Sequence, residues 1–572
     1  MKKINTLTPV AAAVLALSVA GAAQAGETID LGDGLKLDWR LSTTYTASQR
    51  MKNADPLLAG SANSGANDGD NNFAKGALTG NRLAGLLETK LTKGESGLVL
   101  SGSSFYDDVY HRANDNNPSA SNPNKVNKAA PFNQFTDGAR RDHGGYSRIL
   151  DAYGYTTFDL GSSRATVRAG RHVVNWGEST FFPNIAMAQG PFDGTKTGIP
   201  GTEVKESVLP EDQISASIEM SPRWTLLGQA QFGFHPTIAP APGSFLNSSD
   251  GVGPGGSCLG PYTAIPAVAA AGFNGFSGCS FGNRGADILP SKTGQWGIGT
   301  RYRVTDETEA GIYYLNYNDR TPLPEINAFT SGTAIPASLQ AAFGGITQIG
   351  NGSYRVRYFD NVKMVGATIS TVLGKVAVSG EITHKQGAPV LVNTIVDPVK
   401  KSTIPNPTRA DVTQANLGAF ANIGRTPFAD SVQLLGELSA IQIGKVQSRL
   451  APGAEVFPAA YGFTASNALS FQTKSALAMA VTAVLGYPGI VEGWDLTVPI
   501  SYSRQLKGRT LVGGVGGEGD ARYSIGATLT KGGNFSIGVT YLGFLGGPSL
   551  DLKTNRLLSD RDQLSLVAKY AF

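Results

Sequence analysis

Leu35-Lys36-Leu37-Asp38-Trp39-Arg40-Leu41-Ser42-Thr43-Thr44-Tyr45 carries two faces in one segment. Leu35, Leu37, Trp39, Leu41, Thr43 and Tyr45 hold the odd positions, while Lys36, Asp38, Arg40, Ser42 and Thr44 hold the even ones. Successive side chains of a strand point to opposite faces, so this spacing predicts a strand with one greasy and one charged face. A soluble two-layer sheet also alternates, but with fewer charges on one strand. A wall with lipid outside and water inside needs the pattern in every strand.

The pattern recurs. Leu83, Leu87 and Leu91 oppose Arg82, Glu88 and Lys90; Val376, Val378 and Ile382 oppose Lys375, Ser379 and Glu381. Trp494, Leu496, Val498, Ile500 and Tyr502 oppose Asp495, Thr497 and Ser501, and Tyr523, Ile525 and Leu529 oppose Ser524 and Thr528. At the end of the chain Leu564, Leu566, Ala568, Tyr570 and Phe572 alternate with Gln563, Ser565, Val567, Lys569 and Ala571. A final alternating strand closing on an aromatic, here Tyr570 and Phe572, resembles the signal read by the outer-membrane barrel insertion machinery.

Composition agrees with the alternation. Hydrophobic residues make up 41% and charged residues only 16%, below the ~25% charged of soluble domains. Beyond the first residues no apolar run approaches the ~18 of a spanning helix; stretches 264–273 and 476–485 are short and interrupted by Pro266 or Thr482. At the start, Lys2 and Lys3 precede an apolar stretch from Val10 to Ala23, and Ala23-Gln24-Ala25 offers a small-x-small cleavage site. Residues 1–25 are therefore read as a cleaved signal peptide, with Gly26 opening the mature chain. The net charge of +4 loses two units with Lys2 and Lys3. That near balance excludes the basic signature of a nucleic-acid partner.

The alternating segments are placed at 35–47, 82–92, 97–106, 150–160, 164–172, 212–220, 224–233, 295–304 and 309–317. They continue at 362–373, 375–384, 413–423, 431–443, 472–485, 494–503, 521–530, 535–543 and 563–572. This is an all-β, antiparallel up-and-down barrel of about eighteen strands, sixteen being the alternative count. Residues 26–572 form one domain in the outer membrane of a Gram-negative bacterium. Connections after even-numbered strands are short, as in Lys93-Gly94-Glu95-Ser96, and those after odd-numbered ones are long. Short periplasmic turns and long outer loops follow when both termini lie in the periplasm.

Long loops usually carry function or disorder. Loops 48–81 and 107–149 are polar and read as solvated outer surface. Loop 234–294 holds Cys258 and Cys279, the only cysteines, which an oxidising compartment would join as a disulfide. It also holds Ala264-Ile265-Pro266-Ala267-Val268-Ala269-Ala270-Ala271, and the next loop holds Ile335-Pro336-Ala337-Ser338-Leu339-Gln340-Ala341-Ala342-Phe343. These greasy pieces read as short amphipathic helices, packing as rim lids or capturing apolar solutes.

The third loop differs, concentrating Arg, His, Asn, Trp and Glu in Gly170-Arg171-His172-Val173-Val174-Asn175-Trp176-Gly177-Glu178-Ser179-Thr180-Phe181-Phe182-Pro183. With Asp151-Ala152-Tyr153, Pro200-Gly201, Glu203, Lys205, Glu206, Gly380-Glu381 and Asp560-Arg561-Asp562, it resembles an exported proteobacterial family catalogued as domain-of-unknown-function family 1302. His172 stands where that family is expected to have glutamine, and Thr202 where it has a small residue. The resemblance implies an outer-membrane barrel, often encoded beside a second exported protein and a resistance-nodulation-division transporter. Fold analogy alone does not assign an activity.

The chain is read as a channel, not an enzyme. It has no G-x-S-x-G elbow, no H-E-x-x-H pair and no phosphate-cradling loop, so no cofactor or metal is expected. His172 with Glu178 or Ser179 is the one constellation with catalytic chemistry; the alternative is that Asn175, Trp176 and Glu178 lock an infolded loop. The expectation is a transport barrel for small apolar or amphipathic molecules, its lumen constricted by loop 173–211. Asn175, Trp176, Glu178 and His172 form the constriction, and Arg168 or Arg40 pairs with Glu178, because a buried carboxylate needs a partner. A general or substrate-specific porin with charged wall ladders (Arg40, Arg82, Glu88, Lys90, Arg168, Glu381) is the second reading, and an outer-membrane enzyme the third. The expected partners are membrane lipid, the insertion machinery, a periplasmic protein and the transporter.

Overall fold

The computed structural model describes residues 26, 28–63, 65–116, 133–257, 259, 283–329, 333–334, 337, 348–349, 352–511 and 516–572. Its wall has eighteen strands. They are β1 (Leu35–Arg50), β2 (Leu78–Lys93), β3 (Ser96–Asp107), β4 (Gly145–Leu160), β5 (Ser163–His172) and β6 (Glu211–Ser221). There follow β7 (Trp224–Gln231), β8 (Gln295–Arg303), β9 (Glu309–Asn327), β10 (Ser353–Leu373), β11 (Val376–Asp397) and β12 (Ser402–Thr426). The last six are β13 (Ala429–Val446), β14 (Ser475–Val491), β15 (Trp494–Lys507), β16 (Ala521–Lys531), β17 (Phe535–Leu545) and β18 (Gln563–Ala571). Each pairs antiparallel with its sequence neighbours, and β18 returns to β1, from Ala571 opposite Ser42 to Gln563 opposite Arg50. The wall therefore has no free edge, the condition for backbone polar groups to lie in lipid.

Alternation sorts the two faces. Leu98, Leu100, Ile312, Ile382 and Leu417 are more than half exposed on the outside. Their neighbours Ser101, Glu381, Gln414 and Asn416 are buried on the inside. Aromatic pairs such as Trp296 with Tyr314 and Trp494 with Phe535 sit toward opposite ends of the wall, where interfacial girdles belong. No helix among the described residues is long and apolar enough to cross a membrane. The tight turn between β2 and β3 uses Gly94 at φ +58°, a conformation that favours glycine.

Strands β9 to β12 run well past the ends placed by alternation, to Asn327, Ser353, Asp397 and Ser402. Beyond the lipid zone both faces of these extensions are covered, so period two disappears. Ile326, Tyr354 and Ile404 form one buried cluster there, and Val390, Ala410 and Ile443 another. As a result the connection from β11 to β12, expected to be long, is the four-residue turn 398–401. The long loops pack on one another above the barrel. Phe73, Tyr110, Phe135 and Phe245 share a core, and the buried Arg50 and Arg561 both pair with Asp70 at 3.0 and 2.5 Å. Residues 1–25, Cys258, Cys279 and the greasy pieces 264–271 and 335–343 (Ala337 apart) lie outside the described residues.

Candidate functional site

The segment 173–210 leaves β5 after His172 and rejoins the wall at Glu211. Its prolines and glycines (Pro183, Gly190, Pro191, Gly198, Pro200, Gly201) break it into short pieces, the longest helix being Ile185–Gln189. A chain with so little internal hydrogen bonding must satisfy its amides elsewhere. It does so on inward-facing wall side chains.

Two carboxylates take most of that load. Glu381 on β11 accepts the amides of Glu178 (2.6 Å), Ser179 (3.2 Å) and Ile185 (2.7 Å). Glu437 on β13 accepts those of Thr180 (2.8 Å) and Phe181 (2.7 Å), and the side-chain amide of Asn416 (2.9 Å) from the strand between them. Both carboxylates are buried, and converging N–H groups meet their charge. Asn184 extends the clamp, accepting from Thr383 at 2.6 Å.

Trp176 is 5% exposed and stacks on Tyr313 with ring centroids 5.8 Å apart. Gly297 on β8 makes room: a Cβ there would lie 3.0 Å from the Trp176 ring. The Trp176 amide donates to Gln189 at 2.8 Å, and its carbonyl accepts from Arg301 at 3.1 Å. Phe182 packs on the small inward residues Ala478 and Ala480 of β14, flanked by Phe181. Asn175 accepts the Gly177 amide at 3.0 Å, a local turn bond.

The other half of the segment reaches the opposite wall. Pro200 O accepts from Thr46 (3.1 Å) on β1, and Gly198 O from Gln563 (2.6 Å) on β18. Lys205 bonds Glu88 (2.8 Å) and Asp151 (2.9 Å), Glu206 pairs with Arg82 (3.4 Å), and Glu203 pairs with Lys569. Asp193 takes the Tyr146 hydroxyl at 2.7 Å and Arg148 at 3.0 Å.

Two expected pairings are corrected. The cation acting on Glu178 is Arg301 of β8, not Arg168 or Arg40. The segment carries Glu178 to the β8–β13 side, whereas Arg40 and Arg168 stand together on β1 and β5, lining a separate cavity with Glu88 and Lys90. Burial pushes the Glu178 carboxyl up, and Arg301 draws it back. His172 does not join Glu178 or Ser179. It is buried, with Nδ1 donating to Gly170 O at 3.0 Å, which leaves Nε2 to accept from Ser215 Oγ at 2.7 Å. Those bonds hold an imidazole in place, and the Ser179 hydroxyl accepts from the Asn416 side-chain amide at 2.8 Å.

Among the described residues one group, Glu211, Asp212 and His235, brings three candidate ligand atoms together. Arg320 pairs with Glu211 and Arg171 with Asp212, each at 3.2 Å. With two guanidiniums already on its carboxylates, the group is an ion-pair network rather than a metal centre.

Sequence reading missed Glu437 and Arg301 as site residues. The signal for Glu437 was present: one carboxylate on the inward parity of Leu434-Leu435-Gly436-Glu437-Leu438, otherwise apolar or glycine. Arg301 gave no such signal, since it is one of two cations in Thr300-Arg301-Tyr302-Arg303-Val304.

A closed wall of this kind, apolar outside and polar within, defines an outer-membrane β-barrel. The chain belongs to the family described as protein of unknown function DUF1302, whose model matches residues 6–572. No curated protein matches it. Among solved structures it is similar to Pseudomonas aeruginosa OpdK, crystallised with vanillate, at 11% identity over 94% of this chain and 98% of that one, with a TM-score of 0.39. It is similar also to Acinetobacter baumannii OccAB1, at 9% identity over 96% and 99%, with a TM-score of 0.42. Likeness at this level does not carry those proteins' ligands over to this chain.

Proposed function

We propose that the protein is an outer-membrane channel for small apolar or amphipathic molecules, constricted by the segment 173–210. The observation that carries this reading is the double anchorage of that segment, on Glu381 and Glu437 at one side and on Thr46, Glu88 and Gln563 at the other. A strap held at both ends restricts any path between its anchors. The apolar preference rests on Trp176, Phe181 and Phe182, which pack within the barrel against Tyr313, Ala478 and Ala480. A channel so restricted works with a driving system, and we propose a periplasmic partner and a resistance-nodulation-division transporter for that role. A second reading, a porin selective for charged solutes, is favoured by the cavity that gathers Arg40, Glu88, Lys90 and Arg168.

The test is single-channel recording of purified protein in planar bilayers. Wild type should conduct very little, and the Asn175→Ala/Trp176→Ala/Glu178→Ala protein should give discrete, large steps. A correctly inserted triple variant that conducts like wild type would sink the constriction.

A further inference from the structure

A cavity of about 590 Å³ lies beneath the segment, toward the short periplasmic turns. That volume is within the ~300–1,000 Å³ of small-molecule sites. It is built mainly on β1 to β5. The register sets Arg40 opposite Glu88 and Asp38 opposite Lys90, then Lys90 opposite Val99, and Tyr155 opposite Arg168. Lys205 reaches in from the segment.

The charges in this cavity do not cancel. Lys205 is engaged by Glu88 and Asp151 at 2.8 and 2.9 Å. Arg40, Lys90 and Arg168 make no ion pair among the described residues, and Asp38 is the one remaining carboxylate of the lining. Lys90 stands 5.7 Å from the Tyr155 ring centre, and Arg168 stands 6.0 Å from that of Tyr153. Cations over aromatic faces keep their charge while an apolar surface is offered beside them. Val99 adds to that surface.

We infer that this cavity is a binding site for a small amphipathic organic anion, its acidic group among Arg40, Lys90 and Arg168 and its apolar body against Tyr153, Tyr155 and Val99. The inference deepens the channel reading, on which it rests for its place in transport. The cavity sits where a solute passing the strap meets, or leaves for, the periplasm. Three cations around one anionic group select it over an uncharged analogue of the same shape, and the selectivity weakens with salt because the cavity is open to water.

The experiment is isothermal titration calorimetry on the full-length protein in a neutral detergent, with 4-phenylbutyrate and its uncharged counterpart 4-phenylbutanamide as probes. The acid should bind at least roughly tenfold more tightly than the amide, a 1.4 kcal/mol difference. Arg40→Gln/Lys90→Gln/Arg168→Gln should bring the acid down to the level of the amide, while Arg425→Gln, beside a turn outside the cavity, leaves it unchanged. If the triple variant does not insert, Arg168→Gln alone should lower acid affinity several-fold. Equal affinity for acid and amide, no measurable binding of the acid at millimolar concentration, or full acid affinity in the cation-free cavity would each overturn the inference. Binding to detergent-solubilised protein needs no passage, so this result stands apart from the conductance test of the strap.

Discussion

The Glu381→Gln/Glu437→Gln protein should open. Glu381 receives three backbone amides on its two oxygens, and Glu437 receives two amides and the Asn416 side chain. A glutamine keeps one acceptor oxygen and turns the other into a donor. At Glu381 the least harmful placement keeps the oxygen toward Glu178 and Ser179 and sets an NH₂ against the Ile185 amide. One charge-assisted bond is lost outright and two become neutral. With hydrogen bonds to charged groups at roughly 1.5–3 kcal/mol and neutral ones near 1 kcal/mol, each substitution costs about 2.5 kcal/mol of anchorage or more. Together they cost about 5 kcal/mol, close to the ~5.5 kcal/mol that takes a two-state equilibrium from 1:99 to 99:1. The double variant should therefore conduct steadily in planar bilayers, and each single variant should flicker between low and high conductance. Cells carrying the double variant should become sensitive to bulky antibiotics. The reasoning fails if the double variant inserts, migrates with normal heat modifiability and conducts as wild type does.

Two further outcomes are expected. Deleting Phe572 removes the amide that donates to Leu41 O at 2.8 Å and the ring packed on Tyr570 at 4.6 Å, both at the seam where β18 meets β1. Assembly should drop sharply, and normal outer-membrane levels of folded protein would contradict this. In the outer loops, burial, reinforced by the neighbouring charge of Lys196, holds the His143 imidazole down at about 3, and the neutral ring accepts the Ala241 amide at 3.1 Å. A folded value below the unfolded ~6.5 gives stability that is complete above about pH 6.5 and declines as pH falls toward 3. Limited proteolysis of the outer loops should therefore speed up between pH 7 and pH 5. His143→Gln should flatten that dependence, and equal cleavage at both pH values would count against this role of His143.

Much of the wall was legible because lipid outside and water inside impose period two on every residue that crosses. Each of the eighteen spans placed by alternation falls on a wall strand. The rule stops where its cause stops. In β9 to β12 the residues beyond the lipid are covered on both faces, and Pro389, Pro405 and Pro407 lie within the extended ladder, so neither alternation nor β-propensity marked those ends. Within the site, Trp176 and Asn175 stood out by residue type, and Glu381 as one of the inward wall charges. Their partners did not stand out.

The sequence by itself determined the barrel, its strand order and which parity faces inward, because those follow from nearest-neighbour alternation and from turns a few residues long. Where the segment 173–210 lands was decided only in three dimensions. Its amides are satisfied by Glu381 and Glu437, about two hundred residues or more away in the chain, and the cation acting on its carboxylate Glu178 is Arg301 instead of Arg168 or Arg40. An irregular backbone has no period of its own. Its course is fixed by which inward side chains the closed wall brings within hydrogen-bond reach, and closure around the ring is a property of all eighteen strands together.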